Sequence, residues 1–364
     1  MTTQTITKLT ARGVKVPLAR PLVTGGGTVT DAPFVLVDIE TSEGITGHAY
    51  VFCYTPHMTT PLRTLLESLS GIVVGMPLAP LAIEEAVQKV FRLAGPVGVA
   101  GWAISGIDMA VWDALARSVE LPLARLLGGE CRPTPAYNSC GLGIIGAEAA
   151  AKEAKELAKL GLAGIKVRLG YPTVEEDAEV VTAVAKTVGP EVAIFTDYNQ
   201  CLSVTEARGR IDYLLEDQLG IRWVEEPTRW DDYEGHAQIR SSAGIPIQLG
   251  ENFWGPHDMQ KAMNAEAGDL FMPDLGKIGG ITGWQRAAAL AEPTGLPLSS
   301  HLFPEVSAHM LAVTPTRHWL EYVDWAEPIL AHPVKLENGC AVPSTTPGSG
   351  IEWNEAAIEK FLVK

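Results

Sequence analysis

Acidic side chains that could bind a metal end three successive short apolar runs of the sequence. Asp197 ends the run AIFTD, Glu225 ends IRWVE, and Glu251 directly follows PIQLG. Three oxygen ligands that face one cavity suit a hard divalent cation, Mg²⁺ above all, which keeps its remaining positions for water and substrate. Because each of these acids taken singly is more often solvated or ion-paired, the prediction of a metal site rests on their joint placement.

A histidine and a fourth acid supply a possible base. His301 ends the run PLSSH, and Asp274 ends the preceding run, LFMPD. A carboxylate beside an imidazole can orient the ring and support it as a general base. A lone histidine at the end of a strand is usually structural, whereas a His–Asp pair that faces three acids favours catalysis.

Two cations and a further acid complete the set. Lys166 and Arg168 are two residues apart in GIKVR, so their side chains lie on the same face of a strand. Buried cations need anionic neighbours, which the carboxylates or a bound substrate would provide. Glu321, in HWLEYV, could hydrogen-bond or protonate a substrate oxygen. The set predicts removal of a proton α to a carboxylate, because the intermediate needs a metal and positive or protonated donors around its developing charge.

The apolar runs that carry these residues predict a (β/α) barrel. Each run is short, rich in β-branched or aromatic residues and followed by a helix-like stretch, and the pattern repeats about every 20 to 30 residues. Active sites of such barrels lie at the C-terminal ends of the strands. We predict three parts: a unit of strands and then helices over residues 1–127, the barrel over 128–324, and a segment over 325–364 that returns to the first unit.

A glycine-rich segment, Thr24–Thr28, separates the first two predicted strands. Glycine permits backbone conformations that other residues avoid, so the segment suits a mobile flap over the site. An ordinary hairpin loop is the alternative interpretation.

Composition excludes several classes of protein. Hydrophobic residues make up 46% and charged residues 20%, which is ordinary for a globular chain with a large core. A net charge of -15 without a basic run argues against nucleic acid as a partner. The five cysteines are scattered without a CxxC pair, so we expect reduced thiols. No uninterrupted apolar stretch reaches the roughly 18 residues of a membrane span, and the N-terminal segment lacks a signal-peptide core, so we expect no membrane partner and a cytoplasmic location.

Segments along nearly the whole chain match those of a known family. They are VPLARPLVTGGGTV, GIDMAVWDAL, TDYNQ, EEPT, DYEGH, GENFWGP, MPDLGKIGG, SSHLFPEVSAH and HWLE. In these segments the sequence resembles the enolase superfamily and, within it, the mandelate racemase subgroup. The resemblance implies an α/β fold in which an α+β N-terminal capping domain covers a modified (β/α)7β TIM-type barrel, commonly assembled as an octamer or a dimer.

The resemblance also implies roles for individual residues. Asp197, Glu225 and Glu251 would bind Mg²⁺, Asp274 and His301 would form the base, and Glu321 would donate a hydrogen bond to the carboxylate of a small-molecule substrate. Lys166 would polarise that carboxylate. Ser139 and Asn199 would line the site, and the positions that match the family's substrate pocket are Leu22, Val29, Phe52, Tyr54, Leu302 and Val323.

One position departs from the subgroup. Arg168 stands where a second lysine serves as the base for the opposite face of the substrate, and arginine holds its proton far above pH 7. His301 alone would suffice for dehydration of an acid sugar, whereas the apolar pocket residues favour an aryl or alkyl group. We place racemisation of a 2-hydroxy acid with an apolar substituent ahead of acid-sugar dehydration. A non-catalytic binding protein on the same fold is the third alternative, and loss of a metal ligand, which would favour it, is not seen.

Overall fold

The first part of the chain forms an antiparallel sheet backed by helices. A computed structural model describes residues 4–216 and 219–363. The elements are β1 (Ile6–Thr24), β2 (Gly27–Thr41), β3 (Thr46–Phe52), α1 (Thr59–Val73), α2 (Pro80–Val90), α3 (Val99–Ser118) and α4 (Leu123–Leu126), with a 3₁₀ turn at Pro56–Met58. β2 pairs with both β1 and β3, so the predicted meander is formed.

Strands and helices then alternate, as the apolar runs predict. The strands are β4 (Thr134–Asn138), β5 (Gly164–Arg168), β6 (Ala193–Asp197), β7 (Ile221–Glu225), β8 (Ile247–Leu249), β9 (Leu270–Phe271) and β10 (Leu320–Tyr322). The helices are α5 (Ala147–Leu157), α6 (Val174–Val188), α7 (Val204–Glu216), α8 (Tyr233–Ser242), α9 (Pro256–Asn264), α10 (Leu275–Ile278), α11 (Gly280–Ala291) and α12 (Pro304–Val313), with 3₁₀ turns at Ala158–Leu160 and Glu292–Thr294. Local signals place their ends. A capping box between Thr173 and Glu176 starts α6, and Gly161, at φ 68°, ends the turn after α5.

The parallel strands follow one another in sequence order from β4 to β9, and β10 pairs with β4 in parallel. The run PLSSH forms no strand of its own. Single parallel bridges join Leu298 to Phe271 of β9 and to Arg317, and another joins His301 to Asp274. This segment therefore takes the strand position between β9 and β10 and, with the helices outside, gives the (β/α)7β order.

Aromatic side chains fill the barrel interior in the layer next to the carboxylates, where the Trp223 indole donates to Glu225. Tyr137, Phe195 and Trp223 are fully buried in one cluster, and the rings of Phe195 and Trp223 stack at 3.8 Å between centroids. Layers of large side chains are the usual filling of such barrels. Truncation of Trp223 to alanine is expected to lower the free energy of unfolding by about 3–5 kcal/mol.

Helix α3 is the one described helix long and apolar enough to cross a membrane by composition, yet it is mostly buried inside the fold. It packs on β3 and on α10 and α11 of the barrel, where Asp108 accepts hydrogen bonds from the backbone N–H and the hydroxyl of Thr282. We therefore interpret α3 as a core helix that ties the capping sheet to the barrel.

The C-terminal segment contacts both of the preceding parts. It contains β11 (Lys335–Glu337), β12 (Cys340–Val342) and α13 (Glu355–Phe361), with a 3₁₀ turn at Glu327–Ile329. β12 pairs with β4 of the barrel, while Glu355 forms an ion pair with Arg12 and the Trp353 indole donates to Asp38 in the capping domain. The boundaries at 127/128 and 324/325 stay predictions.

The glycine-rich segment forms the tight turn between β1 and β2. Gly26 has open surroundings, with no neighbour closer than 3.6 Å to an added Cβ. Gly25 differs, because its Cβ would lie 2.7 Å from the Cβ of Cys201 and 2.9 Å from the carbonyl oxygen of Tyr198. The turn thus rests against the loop after β6 and stands over the C-terminal ends of the strands.

Candidate active site

Three carboxylates meet where neighbouring parallel strands end. Asp197 and Glu225 are register partners at the ends of β6 and β7, and Glu251 lies two residues beyond β8. One oxygen from each lies within 4.8 Å of the others, and all three side chains are buried. The structure therefore brings the three predicted metal ligands to one point, because parallel strands present their C-terminal ends at the same edge.

The charge balance of this cluster favours a bound divalent cation. Burial, first, and then the nearby charges of Asp197, Glu321 and Glu251 raise the pKa of Glu225 to about 8, against the opposing charge of the Lys166 ammonium. Crowded carboxylates of this kind need a cation to remain charged. The all-oxygen donor set suits Mg²⁺, which would bind to Asp197, Glu225 and Glu251. When bound, Mg²⁺ supplies positive charge for the substrate carboxylate and for the charge that develops on it.

Lys166 lies among the acids as a fully buried ammonium. Its Nζ is 2.7 Å from Glu321, 2.8 Å from Glu225 and 3.1 Å from Asp197. Burial alone would lower the pKa of Lys166, but these three carboxylates outweigh it and raise the pKa well above the ordinary value. Lys166 is therefore placed as a hydrogen-bond donor and a positive charge.

His301 and Asp274 form the predicted pair. The Nδ1 of His301 lies 2.7 Å from Asp274 Oδ2; because a carboxylate oxygen only accepts, Nδ1 carries the hydrogen. The other ring nitrogen, Nε2, lies 3.3 Å from Glu251. Burial would lower the pKa of His301, but Glu251, Glu321 and Asp274 outweigh it and raise it to about 9. A cation on Glu251 would offset part of that rise and favour the neutral, basic imidazole.

Glu321 is an acceptor in this arrangement. It accepts from the Ser139 hydroxyl at 2.8 Å and from the Leu302 backbone N–H at 3.0 Å, besides Lys166. Burial would raise its pKa, but Lys166 and His301 lower it to about 2. The donor role inferred from the resemblance requires Glu321 to be protonated, and that role stays a prediction.

Arg168 is immobilised by neutral acceptors. Its Nη1 donates to the carbonyl oxygens of Ser139 and Gly141 at 2.9 and 2.7 Å, and its Nη2 donates to the Ser139 hydroxyl at 2.8 Å. Its Nε is buried without a partner among the described residues. A guanidinium held through three donated hydrogen bonds is a fixed cation, not a group that exchanges its proton.

The site opens into a cavity of about 370 Å³. Most of the predicted site residues line it, namely Leu22, Val29, Phe52, Tyr54, Ser139, Lys166, Arg168, Asp197, Asn199, Glu251, His301, Leu302, Glu321 and Val323. Glu225 and Asp274 lie behind this lining, where they contact Lys166 and His301.

The sequence-based reasoning missed three residues of the lining, Gln200, Asn252 and Trp325, whereas Thr24, Gly26, Gly27 and Thr28 belong to the glycine-rich segment for which a flap was one interpretation. Two of them directly follow residues that were identified, since Gln200 comes after Asn199 and Asn252 after Glu251. Positive φ angles mark the same loops, at 45° for Asn199 and 68° for Gln200. Proximity in sequence to the acids that end the strands was the signal that could have identified Gln200 and Asn252.

From its place in DLGKIGG, Lys277 could approach the substrate, although the sequence favours a salt bridge in a barrel loop; the structure shows no such salt bridge among the residues it describes. Its side chain is 5% exposed, its Nζ donates to Asn252 Oδ1 at 2.6 Å, and it lies 3.9 Å from the centre of the Tyr54 ring. Among the residues that the structure describes, none forms an ion pair with it.

A larger cavity, of about 520 Å³, lies between the capping-domain helices and α9 and α11. Its lining is mostly apolar, and none of the three clustered carboxylates faces it. We place the chemistry in the smaller cavity, where the acids, the imidazole and the cations converge.

Comparisons with known proteins decide the family. Residues 6–128 match the family model "Mandelate racemase / muconate lactonizing enzyme, N-terminal domain", and residues 149–357 match "Enolase C-terminal domain-like". The chain belongs to the enolase superfamily. The predicted capping domain and barrel are thereby confirmed.

Relatives of this superfamily member are enzymes of two kinds. This chain is 33% identical to an L-talarate/galactarate dehydratase of Salmonella typhimurium, over 72% of this chain and 66% of the relative. It is 31% identical to a 3,6-anhydro-alpha-L-galactonate cycloisomerase of Streptomyces coelicolor, over 93% of both chains. The predictions of an enzyme and of isomerase or dehydratase chemistry are confirmed at this level.

A solved structure supports the cofactor. A Bradyrhizobium enolase complexed with magnesium and mandelic acid is 40% identical, with a TM-score of 0.95 and full coverage of both chains. With the acidic cluster of this chain, it confirms the prediction of Mg²⁺ as the cofactor.

Proposed function

We propose that this enzyme removes the proton α to the carboxylate of a 2-hydroxy acid with His301 as its only base, and that the reaction is dehydration of a 2,3-dihydroxy acid. The observation that carries this choice is the fixation of Arg168 by Ser139 and Gly141. The position that could hold a second base holds a permanent cation instead.

His301 has the arrangement that such a reaction requires. Nε2 takes the α proton while Asp274 holds the Nδ1–H, which stabilises the imidazolium that forms. The Lys166 ammonium offers positive charge to the substrate carboxylate as its electron density rises. The imidazolium then returns its proton to the departing 3-hydroxyl, so that one water leaves and the enol product becomes a 2-keto acid.

The polar part of the cavity supports a hydroxylated substrate. Besides Asn199, the lining contains Thr24, Thr28, Gln200 and Asn252. The Oδ1 of Asn199 is buried without a hydrogen-bond partner among the described residues, so it can accept from a substrate hydroxyl.

Racemisation of a 2-hydroxy acid with an apolar substituent is the second candidate. The apolar lining residues Leu22, Val29, Phe52, Leu302 and Val323 favour it, as does the mandelic acid bound by the Bradyrhizobium relative. It would need a proton donor on the face opposite His301, and Arg168 is a poor one.

The experiment is ¹H NMR in heavy water with Mg²⁺, with both enantiomers of aryl and alkyl 2-hydroxy acids and a panel of acid sugars. We expect loss of water to a 2-keto acid, or α-hydrogen exchange confined to one stereoisomer. Exchange accompanied by inversion of configuration would contradict the one-base proposal and establish the racemase.

Assembly and location belong to the same proposal. We expect a homo-oligomer, octamer or dimer, because Val90, Leu93 and Val97 of the capping domain are exposed and Leu93 is completely so. Light scattering after gel filtration tests this expectation, and a monomer at micromolar concentration would contradict it. We also propose a cytoplasmic location, which cell fractionation tests.

A further inference from the structure

Lys277 is a buried lysine that forms no ion pair with any residue that the structure describes. It lies in α10, and its Nζ contacts the Asn252 amide oxygen and the face of the Tyr54 ring. A buried ammonium costs free energy unless its surroundings compensate for the lost water.

Lys277 fixes the orientation of Asn252. An ammonium only donates, so the amide atom beside it is the oxygen, and the amide nitrogen must point the other way. That nitrogen donates to Glu226 at 3.0 and 3.2 Å and to Glu251 Oε1 at 3.2 Å. Without Lys277 the amide would be free to turn, and Glu251 would lose a directed donor.

Lys277 also contacts Asp274, the hydrogen-bond partner of the base. The backbone N–H of Lys277 donates to Asp274 Oδ1 at 3.1 Å, while Asp274 Oδ2 faces His301. Asp274 is the N-cap of α10, so this contact depends on the backbone and not on the side chain. Helix α10 thus acts on two residues of the site. The Lys277 side chain positions Glu251 through Asn252, and the first turn of the helix holds Asp274, the partner of the imidazole.

We infer that Lys277 is a positioning residue that holds Asn252, and through it Glu251, in the geometry for Mg²⁺. The inference rests on the proposed function in one respect, the assignment of Glu251 as a magnesium ligand. Residues that orient metal ligands typically change metal affinity 10- to 100-fold when removed.

The test is a double-mutant cycle in the full-length enzyme with Lys277→Met, Asn252→Leu and both together. Calorimetry measures the Kd for Mg²⁺ without substrate. We expect each single variant to weaken Mg²⁺ binding about 10- to 100-fold, and the double variant to be no weaker than the weaker single one, because both remove the same link. Lys261→Met, an exposed lysine of α9, is the matched control and is expected to leave the Kd unchanged.

If the two changes in Kd multiply in the double variant, the inference is overturned. A lowered melting temperature with an unchanged Kd would also overturn it, because Lys277 would then be purely structural. If Lys277→Met does not fold, Asn252→Leu decides alone, and less than a threefold change in Kd overturns it. Because these readouts need no substrate, a failed search for dehydration or racemisation would refute the proposed reaction and leave this inference standing.

Discussion

Gly25 offers a direct test of how the turn between β1 and β2 is held over the site. A methyl group at Gly25 would lie 2.7 Å from Cys201 Cβ, 2.8 Å from its Sγ and 2.9 Å from the Tyr198 carbonyl oxygen. Ordinary van der Waals contact begins at 3.4 Å, and one of the three neighbours is backbone. Gly25→Ala therefore forces the turn away from the loop after β6.

The magnitude follows from that overlap. Moving the nearest pair from 2.7 to 3.4 Å requires a displacement of about 0.7 Å, and overpacking of this kind costs about 1–3 kcal/mol. Because the turn is exposed and can lift, we expect the cost to appear as an opened flap and not as global unfolding. A change of 1–3 kcal/mol corresponds to roughly 5- to 150-fold in the closed-to-open ratio.

Limited proteolysis and amide hydrogen exchange over residues 22–29 measure the open fraction, and KM reports it once a substrate is known. Gly26→Ala is the matched control, because its added Cβ has no neighbour closer than 3.6 Å. We expect faster cleavage and exchange in Gly25→Ala with an unchanged melting temperature. Equal rates in the two variants would refute the argument that close packing on Cys201 seats the flap.

Three further predictions concern the base, the second cation and the core. His301→Asn is expected to abolish α-hydrogen exchange while Mg²⁺ still binds; exchange at the native rate, measured by NMR, would remove His301 from its role. Arg168→Lys is expected to increase exchange from the opposite enantiomer strongly, because lysine can lose its proton in a desolvated site, and unchanged or reduced racemisation would contradict this. Burial lowers the pKa of His309 to about 4 from 6.5, and its Nδ1 accepts from the Ala124 N–H. Because the folded state disfavours protonation of His309, the neutral ring contributes its full stability above pH 6.5. As the pH falls towards 4, the unfolded chain takes up the proton, and the free energy of unfolding decreases by about 3 kcal/mol. Urea unfolding at several pH values measures the free energy of unfolding of the native protein and of His309→Asn. The difference between these two free energies is expected to shrink at low pH.

Local sequence patterns determined much of this protein. Short apolar runs predicted β5 to the residue and the starts of β6 and β7, because a strand buried on both faces needs continuous apolar side chains. The acids at their ends could be identified as a group because parallel strands converge at one edge of a barrel. Arg168 was identified as the departure from the subgroup by residue type alone.

Tertiary structure decided the rest. PLSSH became a bridged segment and not a strand, since its neighbours pair with it at only single positions. Whether Arg168 could act as a base depended on Ser139 and Gly141, which are distant in sequence and meet it only through the fold. Lys277 found an amide and an aromatic ring in place of the expected carboxylate, because its partners come from the loop after β8 and from the capping domain. Sequence reveals which side chains end a strand, whereas hydrogen-bond partners from other strands are fixed only when the barrel and its cap assemble.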